Sequence, residues 1–202
     1  MATLRIKSTW FKPGADKTPE QNASAMAFIA WRVAVKALQN LRAAGFSIDA
    51  GPPYFGVVRE LLVFLLAATD RLAYARLGVE ARAAFTPALV RRVAEILAEN
   101  ESELIDAPTG QDFAGLFIEQ FNRVGAQYGE FDWSESEGPD FAFMRYLGSR
   151  LEALLPAEDR RWIVEQVMAA EAPAAAEMLA RAMQGLWSTE PRRTRRAALS
   201  GD

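Results

Sequence analysis

Apolar residues recur along this chain at intervals of three and four, and no stretch alternates with a period of two, so the pattern predicts helices and no sheet. The first helix is the best bounded. Thr18 is placed to cap it, Pro19 suits its first turn and Gln21 completes a Thr-x-x-Gln capping box, while Gly45 is a C-terminal stop. Between these limits Met26, Ile29, Val33 and Ala37 form one apolar stripe, and Phe28, Trp31, Val35 and Leu38 a second. Only Arg32, Lys36 and Gln39 remain as a narrow polar face. An apolar arc this wide has to be covered on two sides, which puts the helix at the centre of a bundle or in a dimer interface.

The same rules place the remaining helices. A second opens at Gly51-Pro52-Pro53 and runs to about Leu77 before Gly78; its middle, residues 61–68, is apolar all round, so it is expected to be the most buried. Thr86-Pro87 reads as the cap and first turn of a third, with Leu89, Val93, Ile96 and Leu97 facing inward, which frays into the acidic residues 99–103. A fourth spans about Gln111 to Tyr128. Phe113, Phe117, Phe121 and Val124 line it, and Gly115 and Gly125 are expected to let a neighbouring helix come close. After a loop over 129–138, Pro139 starts a fifth helix and Pro156 a sixth. Pro173 begins or kinks a seventh, which carries Met178, Leu179, Met183, Leu186 and Trp187. Residues 1–17 form an N-terminal arm in which Leu4, Ile6, Trp10 and Phe11 are available for docking, and residues 188–202 lack periodicity and form a flexible basic tail. The expectation is an all-α fold: a single-domain bundle of six or seven mostly antiparallel helices over residues 18–187.

Composition narrows the chemistry. The 202 residues include no cysteine and no histidine, which removes disulfides, thiolate nucleophiles, Ser-His-Asp triads, HExxH zinc sites and Glu-x-x-His di-iron motifs. Lysine occurs only at Lys7, Lys12, Lys17 and Lys36, so a Schiff-base or P-loop lysine is not expected either. The chain is therefore read as not an enzyme, with no cofactor and no metal. The formal net charge of −3 is uneven: Arg192, Arg193, Arg195 and Arg196 face only Asp202 at the end of the chain, which leaves the body near −6. An acidic body makes a poor phosphate-binding surface, so nucleic acid is not an expected partner. The longest uncharged apolar run near the second helix, Leu61 to Ala68, falls far short of the roughly 20 residues that span a bilayer. With no convincing signal peptide, the location is expected to be cytoplasmic.

Five residues stand out as candidate binding positions. Arg59, Glu60, Asp70 and Arg71 flank the apolar middle of the second helix, where charges are costly unless paired. Arg59 and Asp70 share a face about 16 Å apart, too far to pair with each other. They need partners on other helices, or else they line a polar pocket. Trp133 sits among Glu130, Asp132, Glu135, Glu137 and Asp140; the spacing matches no EF-hand, and tryptophan amid acids suits a docking anchor or folds back onto the core. Glu60 and Glu119 would form an acid–base pair only if the fold joined them. These features fit a non-catalytic interaction or adaptor protein that binds a protein partner or itself, as a homodimer through the first two helices. The alternative is a carrier or sensor that holds an apolar small molecule between helices lined by methionine and phenylalanine.

Overall fold

The computed structural model describes residues 17–105, 110–134 and 136–187; most of the arm and all of the basic tail expected above lie outside these. Helix covers 81 % of what is described. In chain order the helices are α1 (Pro19–Ala43), α2 (Pro52–Tyr74), α3 (Val79–Leu104), α4 (Phe113–Gly129), α5 (Phe141–Glu152), α6 (Ala157–Gln166) and α7 (Ala172–Trp187). A π-helical turn, Val167–Glu171, joins α6 to α7 without a break, so the bundle has six rods among the described residues. The expected all-α bundle is what forms.

α1 starts as its sequence dictates. The Thr18 hydroxyl accepts from the Gln21 amide at 3.3 Å, and Gln21 Oε1 accepts in return from the Thr18 amide at 3.1 Å. Two of the amides that a helix start leaves unpaired are thereby satisfied. Thr18→Ala should lower stability by about 1 kcal/mol, read as a fall of about 2–4 °C in Tm for a chain of this size.

Rod directions follow from the side chains that tie their ends together. Arg71, late in α2, donates to the carbonyls of Tyr128 and Gly129 at the end of α4, and the ring of Trp187 at the end of α7 lies 5.6 Å from Phe85 in the second turn of α3. At the opposite end, the Ser47 amide just beyond α1 donates to Asp159 at the start of α6. The rods therefore alternate in direction. Thr18, the α2–α3 turn and Trp187 lie at what we call the near end; the α1–α2 loop, the end of α3 and the α5–α6 turn form the far end. α2 runs through the middle in contact with α1, α3, α4, α5 and α7, and 14 of its 23 residues are buried. α1 packs against α2, α3 and α7, which cover most of its apolar arcs and place it inside the bundle; Ile29, Trp31 and Val35 are half-buried and Phe28 is 55 % exposed.

Three local expectations are corrected. Pro87 does not start α3 but lies inside it: the first two turns are already helical because Arg82 and Thr86, one turn apart, both bind Asp70 of α2. Thr86 is thus a partner for Asp70 and not a cap. Second, a short antiparallel pair exists after all, β1 (Trp133–Ser134) with β2 (Gly138–Pro139); two-residue strands are too short to show a period. Pro173 falls where it was expected, as the second residue of α7 directly after the π turn. Ile163, Val167, Glu171, Ala175, Leu179 and Met183 face inward in steps of four, wider than the 3.6 residues of an α-turn, and the π turn takes up part of the excess. Last, the nearest atoms around Gly115 and Gly125 belong to α4 and its cap, not to a neighbouring helix. A Cβ on Gly115 would meet the capping carboxylate of Asp112, and one on Gly125 the ring of Phe121 in its own helix. The close approach is at Gly148 of α5, where a Cβ would sit 3.0 Å from the Cα of Val164 in α6.

Candidate functional site

Each of the four charges on α2 reaches a different partner on another helix. Glu60, 3 % exposed, accepts from Arg150 of α5 twice, at 2.5 Å to Oε1 and 3.0 Å to Oε2. Gln120 of α4 donates to the same Oε1 at 2.9 Å. Arg59, next to Glu60 and about 100° around α2, forms a two-bond fork with Glu101 of α3, at 2.7 and 2.5 Å; Glu101 is 1 % exposed. Asp70 accepts from Arg82 at 3.1 and 2.5 Å and from the Thr86 hydroxyl at 2.7 Å, and the Arg82 guanidinium also covers the Tyr74 ring. Among the described residues Arg71 finds no carboxylate. Its Nη2 donates to the carbonyls of Tyr128, Gly129 and Phe131, where the negative end of the α4 dipole collects.

These contacts fasten α2 to α3, α4 and α5 and do not gather in one pocket. Planar guanidinium forks on carboxylates are the geometry in which a buried ion pair best offsets its desolvation. The carboxylate pair Glu60 with Glu119 does not form: Glu119 is exposed, and its neighbour Gln120 is the α4 residue that turns toward Glu60. Trp133, partly buried on β1, packs edge-on against Phe143 at 5.4 Å. Asp140 of the acidic loop caps α5 through the Phe143 amide at 2.7 Å. Among the described residues no group of three or more acidic side chains is placed to hold a metal ion.

Two polar groups escaped the sequence. Glu171, 5 % exposed in the π turn, accepts from Asn40 of α1 at 3.2 Å and from Gln166 at 3.3 Å. Tyr128 is 1 % exposed among Phe64, Phe131, Phe143 and Tyr146, and among the described residues its hydroxyl has no hydrogen-bond partner. Burial, and then the charge of Glu60, push its pKa well above the ordinary tyrosine value near 10. Between the two states the unfolded chain then releases this proton first as the pH rises. Stability should hold up to about pH 10 and fall above it, and Tyr128→Phe should flatten that fall when denaturation midpoints on either side are compared with wild type.

A cavity of about 280 Å³ opens at the far end, lined by Ser47, Ile48, Asp49, Pro53, Val57, Leu154, Leu155 and Pro156. Against this geometry, comparisons with protein-family models, with curated proteins and with solved structures return no match. No helix among the described residues is long and apolar enough to cross a membrane.

Proposed function

We propose that this chain is a non-catalytic helical interaction protein that binds a protein partner or a second copy of itself. One observation carries the proposal. The three buried carboxylates among the described residues, Glu60, Glu101 and Glu171, each have both oxygens held by donors. General acid or base work requires a carboxylate that reaches a substrate proton, and these would have to break their forks first. In a chain without cysteine or histidine, the remaining route to function is contact. Large apolar side chains are available for it: Phe28 on α1 is 55 % exposed, Phe141 on α5 64 % and Trp162 on α6 53 %. Aromatic residues of this size are the usual anchors of protein interfaces.

A carrier for an apolar small molecule is the weaker alternative. The far-end cavity lies below the roughly 300–1,000 Å³ of ordinary ligand pockets, and it opens to solvent instead of lying between core helices. The deciding experiment recovers the tagged full-length chain from its host and measures binding of each recovered protein, purified, to wild type and to Phe28→Ala, Phe141→Ala and Trp162→Ala. We expect at least one partner whose affinity falls tenfold or more on one substitution. A strictly monomeric chain that retains no protein would overturn the proposal.

A further inference from the structure

The far-end cavity and the N-terminal arm are complementary in character, and within one copy Trp10 and Phe11 of the arm fall short of the cavity. The cavity wall is apolar at Ile48, Pro53, Val57, Leu154, Leu155 and Pro156, with Leu154 still 42 % exposed at its mouth. Asp49 lies in the lining, Asp159 is tied to it through the Ser47 amide, and Glu152 and Glu158 flank the same turn. Two cations at this end, Arg42 and Arg160, donate to the carbonyls of Ile48 and Leu155. Residues 1–16 carry the opposite character: Leu4, Ile6, Trp10 and Phe11 interleave with Arg5, Lys7 and Lys12, against Asp16 alone. A volume of about 280 Å³ suits one large side chain of such a segment better than a free ligand.

Reach decides which copy can supply Trp10 or Phe11. Residue 17 lies at the near end, and the 25 residues of α1 separate it from the cavity by about 37 Å, at 1.5 Å per residue. Trp10 is seven residues before Lys17, which spans at most about 25 Å fully extended. Its own cavity is out of range for Trp10 and Phe11. In an antiparallel pair, by contrast, each near end stands beside the partner's far end, and a two-fold axis lets both arms dock at once.

We infer that residues 1–16 of one copy dock, through Trp10 or Phe11, into the cavity formed by Ile48, Val57 and Leu154 of a second copy, giving an arm-exchanged homodimer. This rests on the interaction reading above and names its partner. The test is sedimentation velocity on the full chain at about 100 µM in low and high salt, with two variants checked for helix content by circular dichroism. One is Trp10→Ala with Phe11→Ala; the other is Leu154→Lys, at a half-exposed position, which sets a like charge before the basic arm. The expected result is a wild-type dimer that loosens at least tenfold between about 0.1 and 0.5 M salt, since exposed charge contacts are screened. Each variant alone should be monomeric, and an equal mixture of the two should recover a weaker dimer, because one intact arm then meets one intact cavity. A wild-type monomer, a dimer indifferent to both variants, or a mixture that stays monomeric each overturns the inference. A monomer leaves the search for other partners untouched, so the two proposals fail separately.

Discussion

Arg59→Ala should cost about 3–5 kcal/mol of unfolding free energy, the range found when one member of a buried ion pair is removed. Among the described residues the carboxylate it abandons has no other donor: Arg59 holds both oxygens of Glu101, and the side chain is 1 % exposed. The Glu60 fork is better insured, because Gln120 would still donate to Oε1 and Arg150 is 35 % exposed. Arg150→Ala is therefore expected to cost less than Arg59→Ala. One process opposes the full effect. Glu101 lies in the last turn of α3, where fraying lets the carboxylate reach water at the expense of a few backbone hydrogen bonds. Hydrogen exchange over 98–105 separates the two responses: a large loss of stability with α3 intact, or a smaller loss with its last turn unprotected. Replacing both partners, Arg59→Met with Glu101→Leu, should return most of the stability, because apolar substitutes avoid the desolvation of both charges. If the double variant is as unstable as the single one, the pair does more than neutralise a charge on α2.

How far the sequence foretold these contacts depends on the kind of signal. α1 was legible to the residue, because its capping box is a local constellation whose parts lie within four positions. The burial of α2 was legible because a run of eight apolar residues leaves no face for water. The charges on α2 announced that they needed partners but not which ones. Arg150 and Glu101 are 90 and 42 residues from the groups they bind, and nothing local distinguishes them from other arginines and glutamates. Glu101 lay in a stretch that looked like a solvated helix end. Of the neighbours Glu119 and Gln120, periodicity could not say which faces α2, since a rotation of about 100° separates them. Pro87 misled because its propensity to begin a helix is a weak prior, and the tertiary bonds from Arg82 and Thr86 to Asp70 outweigh it. For Trp133 a docking role and a place on the core were both open, and its ring lies against Phe143.

Phe143→Ala should be the most damaging single change in the apolar core, at about 3–5 kcal/mol. Phe143 is fully buried, and its ring meets Phe64 of α2 at 5.5 Å, Tyr128 of α4 at 4.6 Å and Trp133 of the hairpin at 5.4 Å. One side chain on α5 thus joins three other elements. The cost of such a deletion depends on how far the surroundings collapse into the space left behind. Collapse is hindered here because the neighbours are rings, and because their helices are separately fixed by the Glu60–Arg150 fork and by Arg71 on the end of α4. Aromatic pairs add about 0.5–1.5 kcal/mol each beyond their area, though the three are not independent. Phe143→Leu keeps most of the volume and should cost about half as much, losing the ring geometry but leaving little void. Guanidinium denaturation gives the energies, and near-ultraviolet circular dichroism reports the loss of fixed packing around Trp133 and Tyr128. A cost below about 1 kcal/mol for Phe143→Ala, against the range expected for such deletions, would mean that α5 shifts as a rod to close the gap. The forks on α2 would then be the weaker constraint, and the Arg59 and Arg150 variants should show correspondingly small effects.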